Sequence, residues 1–111
     1  MRLRQSREFA AIRSQGQRAA KGCLVMNWLP MAKGDSSKVG VITSRKLGKA
    51  NARSRARRLM REVFRLHQHD VRGPVSLVLI ARNSIVGKKL ADVKRDFLFL
   101  LRQANLLKTS E

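Results

Sequence analysis

Apolar and polar positions along this chain switch between two periods, and the switches mark its elements. In residues 6–14 Phe9 and Ile12 recur at helical spacing, which predicts a short amphipathic helix. Ser6 is the expected N-cap, Glu8 sits in the first turn, and Gly16 is placed to end the helix. Residues 23–29 (CLVMNWL) predict a strand closed by Pro30, and residues 38–44 (KVGVITS) a second strand rich in β-branched side chains. The short, turn-rich link between them predicts an antiparallel pair.

The strongest periodicity runs over residues 50–67. At ~100° per residue, Ala52, Ala56, Leu59, Met60, Val63, Leu66 and His67 share an arc of about 120°. Arg53, Arg57, Arg58, Arg61 and Arg65 fall on the opposite arc with Ser54, and Arg55 falls near the boundary. Gly73-Pro74 breaks the chain. Residues 75–81 (VSLVLIA) are nearly all apolar, as expected of a strand covered on both faces. After a loop with Asn83, Ser84 and Gly87, a last helix is predicted from about residue 88 to about residue 107. It would bury Leu90, Val93, Phe97, Leu100, Leu101 and Ala104, leaving Leu98, Phe99 and Leu106 off that face and a frayed tail beyond. The order helix, strand, strand, helix, strand, helix predicts an α+β sandwich. At 111 residues, residues 1–111 are expected to form one domain around one modest core.

Charge changes the picture. Lys and Arg number 25 against 7 acids, a net charge of +18, while the hydrophobic fraction of 43% is that of a folded protein. The single cysteine, Cys23, permits no internal disulfide and reads as a small apolar residue in a strand. No apolar run approaches the ~20 residues of a membrane span, and the start MRLRQSREF lacks the apolar block of a secretory signal. A reducing cytoplasm is the expected location, with no membrane partner.

The charge is concentrated. Residues 45–65 hold nine Lys or Arg and one acid, Glu62, which lies amid Arg58, Arg61 and Arg65 and is expected to form surface ion pairs that orient them. Arg53, Arg57, Arg61 and Arg65 stand one turn apart over roughly 18 Å of helix, a ladder whose forks suit phosphate oxygens. Solvated faces mix signs and this one scarcely does, so a polyanion, nucleic acid, is the expected partner. A second candidate surface is the sheet, where Phe9 and Ile12 with Asn27 or Trp28 form a floor for unpaired bases. Catalysis by the chain itself finds no support. The seven acids are dispersed with no pair suited to Mg²⁺, His67 reads as a core-edge residue and His69 as solvated, and no Gly-rich phosphate loop occurs.

Around the basic helix the chain resembles the bacterial ribonuclease P protein component, whose signature has the form K-x-G-x-A-x-x-R-N-R-x-K-R-x-x-R-E. Lys46, Gly48, Ala50, Arg53, Arg55, Arg58, Arg61 and Glu62 match it, and Arg57 stands in place of a lysine. Val39-Gly40 before it, Ile80-Ala81-Arg82 after it, and Phe9 following an Arg-Leu opening extend the resemblance over nearly the full length.

The resemblance implies a small mixed sheet of about four strands packed with three helices, in an αβββαβα-like order, with a left-handed βαβ crossover carrying the basic helix. It implies the protein subunit of an endoribonuclease that removes 5′ leaders from precursor tRNA, with catalytic groups and Mg²⁺ on the RNA, no cofactor held tightly by the protein and no required protein partner. The catalytic RNA would meet Arg45, Lys46, Lys49, Arg53, Ser54, Arg55, Arg57, Arg58, Arg61 and Arg65. A leader cleft would be lined by Phe9, Arg13, Asn27 and Trp28. Ser54 replaces a usual asparagine, and Arg13 and Asn27 stand where aromatics are common, so leader binding would lean on charge and weaken steeply with salt. A ribosomal, assembly or general RNA-binding protein is the alternative reading. A DNA reader is a third, disfavoured because the face carries arginines and Ser54 without the Asn or Gln that read bases.

Overall fold

The structure is a computed structural model that describes residues 6–108, with side chains from Phe9 onward. The cap expected of Ser6, the Glu8 side chain, the Arg2-Leu3 opening and residues 109–111 lie outside that range. Helix α1 (Ser6–Gln15) is followed by β1 (Gln17–Lys21), β2 (Leu24–Pro30), β3 (Lys38–Ile42), α2 (Ala50–His67), β4 (Val75–Ala81) and α3 (Leu90–Gln103). The strands form one mixed sheet in the order β1-β2-β4-β3.

Strand β4 holds the fold together. All but one of its residues are buried, as its unbroken apolar run requires. It takes a strand on each edge: β2 antiparallel, with Asn27 opposite Val78, and β3 parallel, with Gly40 opposite Val78. This corrects the pairing read from the sequence. Strands β2 and β3 run antiparallel but are not neighbours, because β4 is inserted between them. The link between the parallel neighbours β3 and β4 contains α2.

Alternation along the strands gives the sheet two unequal faces. Leu24, Met26 and Trp28, with Leu77 and Leu79, join Met60, Val63 and Phe64 of α2 and Val93, Phe97, Leu100 and Leu101 of α3 in the main core. On the other face Ile12 of α1 packs on Val78 in a small cluster edged by Phe9, Leu29, Ile42 and Ile80. Most of the apolar burial therefore lies under α2 and α3.

Strand β1 was missed by hydrophobic periodicity. Its residues QRAAK are exposed apart from half-buried Ala19, so an edge strand with one inward residue leaves no alternation to find. Its signal was the hairpin. Lys21 pairs with Leu24 across the two-residue loop Gly22-Cys23, and Gly22 takes the positive φ of 57° that such a loop favours at its first position.

Two helix details also differ from expectation. The buried face of α2 is Ala56, Met60, Val63 and Phe64, turned toward Phe64 relative to the arc read from sequence, and Leu66 is 47% exposed. Helix α3 ends at Gln103, short of residue 107. Asn105 takes a φ of 61°, after which Leu107 bridges antiparallel to Val71.

Candidate nucleic-acid interface

Helix α2 begins without help from acids. Its N-cap is Lys49, no side chain caps it, and no acid stands in the first turn. The preceding turn adds Arg45, Lys46 and Lys49, all exposed. Cations at the positive end of a helix macrodipole are unfavourable in isolation and are relieved by an anion.

Along the helix the arginines are sorted by their neighbours. Among the described residues no carboxylate pairs with Arg53, Arg55, Arg57 or Arg58. Arg57 is aimed by two hydroxyls: its Nη1 donates to Thr43 Oγ1 at 2.8 Å and its Nη2 to Ser54 Oγ at 3.3 Å. Arg55 Nη2 donates to the Lys88 carbonyl at 2.6 Å. Arg53 and Arg61 are half-buried and Arg58 is exposed. Arg65 is different. Glu62 accepts from its Nε and Nη2 at 2.7 and 2.8 Å, and this fork holds the Glu62 carboxyl below its ordinary range and raises the guanidinium. Of the three partners expected for Glu62, Arg65 takes it bidentately, and its charge is partly spent.

Thr43 had no signal in the sequence. It lies just past the end of β3, fourteen residues before Arg57, and only the packing of α2 on the sheet brings them together.

The second surface is the groove beside α1. Phe9, Ala10, Arg13 and Ile42 enclose a hollow of about 380 Å³. A second, of about 230 Å³, opens near Ile12, Leu29, Lys38 and Ser76. Asn27 is on the α1 side of the sheet, 6% exposed, and its Oδ1 is buried with no partner among the described residues. Trp28 does not share that face. Consecutive strand residues point to opposite sides, and Trp28 is buried in the main core, so its expected place in the cleft is corrected. Ala10 and Ile42 complete the lining without a signal in the sequence.

The remaining reactive groups lie outside both surfaces. Burial, reinforced by Asp96, pushes the Cys23 thiol up to about 12, which leaves it protonated and a poor nucleophile. Asp96, 4% exposed, accepts the Cys23 N–H at 3.0 Å. His67 Nδ1 lies 3.0 Å from Asp70 Oδ2 at the end of α2, and His69 is exposed. Among the described residues no three His, Cys, Asp or Glu side chains are grouped to hold a metal ion, and no helix is long and apolar enough to cross a membrane.

Both the sequence and the fold have counterparts among known proteins. The family model for ribonuclease P matches residues 1–105. The chain belongs to the ribonuclease P family. The ribonuclease P protein component of Desulfatibacillum aliphaticivorans is 36% identical over 75% of this chain and 70% of its own length. That of Clostridium beijerinckii is 33% identical over 99% of this chain and 93% of its own. Among solved structures, the RNase P protein of Thermotoga maritima superposes with a TM-score of 0.82 at 27% identity, covering 93% of this chain and 96% of that one. The RNase P protein of Staphylococcus aureus shares the fold, with a TM-score of 0.86 at 22% identity over 96% and 97% of the two chains. Family membership makes the chain the protein component of an endoribonuclease and a partner of ribonuclease P RNA.

Proposed function

We propose that the protein binds the catalytic RNA of ribonuclease P through α2 and the 5′ leader of precursor tRNA through the groove beside α1, promoting endonucleolytic removal of the leader. The observation that carries this is the Arg57–Thr43 contact. It ties the arginine face to the end of β3, where neighbouring Ile42 lines the groove, so one rigid body presents both surfaces. Arg53, Ser54, Arg55, Arg57, Arg58 and Arg61, with Arg45, Lys46 and Lys49, meet the RNA backbone, and Arg65 contributes less because Glu62 holds it. Phe9 offers a ring to a leader base and Arg13 a guanidinium plane, while Asn27 is buried on the same face of the sheet and lines neither hollow.

In this reading the cleaving groups and Mg²⁺ belong to the RNA, the protein alone is inactive, and the complex works in the cytoplasm. The protein screens repulsion between two polyanions and adds grip on the leader, which raises substrate affinity and lowers the Mg²⁺ requirement. With Arg13 and Asn27 in place of aromatics, leader binding rests on charge and weakens steeply with salt.

The test is cleavage of a precursor tRNA by a bacterial ribonuclease P RNA at low Mg²⁺, with and without this protein. The protein restores cleavage, and Arg53→Ala with Arg57→Ala weakens the restoration. Tight RNA binding without any gain in cleavage would leave a general RNA-binding protein as the better account.

A further inference from the structure

Beyond α2 and the groove, the chain carries a third cationic hollow. It lies between the β1–β2 hairpin, the loop before α3 and the first turns of α3. Its volume is about 390 Å³, and Lys21, Ser84, Lys88, Arg95 and Asp96 line it with the hairpin residues Gly22 and Cys23. It is a built site. The Gly22 carbonyl accepts from Ser84 Oγ and Arg82 Nη1, both at 3.4 Å, which ties the loop to the hairpin. Asp96 fixes the hairpin from below through the Cys23 N–H, and Gly22 sits so close to that carboxylate that any Cβ would strike it.

Three cations face this hollow and none is firmly neutralised. Lys21 Nζ rests over the Phe99 ring, 4.6 Å from its centre, so a π face rather than a carboxylate holds its charge. Arg95 has only loose ion pairs, 3.7 Å from Asp92 and 3.8 Å from Asp96. Asp92 is already engaged by the Lys89 N–H at 2.9 Å. No carboxylate pairs with Lys88 among the described residues. The one carboxylate in the wall, Asp96, is nearly fully buried and turned to the hairpin. The hollow also joins the arginine helix, since Arg55 is bonded to the carbonyl of Lys88.

We infer that this hollow binds an RNA phosphodiester, extending the nucleic-acid footprint from α2 around the loop before α3 to the β1–β2 hairpin. Lys21, Lys88 and Arg95 supply the charge, and Ser84 holds the loop to the hairpin. The inference rests on the reading of α2 as an RNA face, and its test separates the two.

The affinity of the protein for a bacterial ribonuclease P RNA is measured over a salt series for four proteins: wild type, Lys21→Gln/Lys88→Gln, Arg53→Ala and Lys33→Gln. Lys33 is exposed beyond the far end of β2, so it reports the effect of removing charge alone. The pocket pair lowers the slope of log affinity against log salt by about one and weakens binding several-fold, with the melting temperature unchanged, while Lys33→Gln has a smaller effect. If the pocket pair keeps the wild-type slope while Arg53→Ala lowers it, the hollow is not a site and the α2 reading survives. If neither lowers it, both fall. A loss from Lys33→Gln equal to that of the pocket pair overturns the site in favour of diffuse charge. Should the pocket pair fold poorly, Arg95→Gln takes its place, with the same outcomes.

Discussion

Helix α2 and the groove beside α1 are built in opposite ways. Helix α2 is one continuous element that carries its own anchor and its own row of cations. Ala56, Met60, Val63 and Phe64 hold it to the core, and the arginines between them face outward. The groove is assembled from Phe9 and Arg13 near the start of the chain and Ile42 from the third strand, over a thin cluster centred on Ile12 and Val78. The first surface has the strength of the main core beneath it. The second depends on a single helix resting on the lightly covered face of the sheet. The two surfaces therefore differ in how much apolar packing lies beneath them: the main core under α2, and a small cluster under α1.

The largest effect should come from breaking the anchor. Met60 is fully buried between α2 and the sheet, so Met60→Ala is expected to cost about 2–5 kcal/mol of unfolding free energy. Phe9→Ala, at the half-buried rim of the groove, should cost less than half as much. Chemical denaturation of both variants checks this. Equal losses would mean that α1 is as firmly bound as α2, and the contrast would disappear.

A change inside the sheet, on the face that carries α1, should sharpen the contrast in the opposite sense. The buried, unpartnered Oδ1 of Asn27 costs folding free energy, and Asn27→Leu keeps the volume while removing it. The variant is expected to gain about 1 kcal/mol of stability and to keep its affinity for both the leader and the catalytic RNA, because the side chain lines neither hollow. A less stable variant would show that Asn27 already has a partner, and a loss of leader affinity would place its side chain in the cleft.

The same difference in construction decided what could be read from the sequence. Helix α2 and strand β4 are found at the residues expected, because each writes its burial into a local pattern: a 3.6-residue stripe in one and an unbroken apolar run in the other. What depends on remote partners was illegible. Strand β1 holds one inward residue, Ala19, and so had no period. The pairing of residues 23–29 with 38–44 rested on a short loop, but the most apolar strand, later in the chain, took the central place. Trp28 reads as a base platform because it is aromatic, yet the alternation that puts Asn27 on the α1 face sends Trp28 into the core. Even within α2 the exact arc needed the fold. Phe64, outside the arc drawn from sequence, is buried, and Leu66, inside it, is 47% exposed.

Thr43 is the residue where the two surfaces meet, and it gives the smallest predicted effect. Its hydroxyl accepts from Arg57 Nη1 at 2.8 Å, while the fork's other nitrogen has the longer 3.3 Å contact to Ser54. Thr43→Val keeps the shape of the side chain and removes the acceptor. Loss of one hydrogen bond to a group whose other partner remains lies at the low end for a hydrogen bond, about 0.5 kcal/mol, roughly a two-fold change in affinity for the catalytic RNA. Because Arg57 keeps its charge, the salt slope should stay at the wild-type value while the affinity falls. Arg57→Ala, by contrast, removes the charge and should lower both. Thr43→Ser, which retains the acceptor, should restore the affinity. That pattern would establish that β3 aims an arginine of α2, so that the sheet which floors the groove also sets the geometry of the helix. Unchanged RNA affinity in Thr43→Val would mean that the RNA orients Arg57 by itself, and the two surfaces would then be joined by the backbone alone.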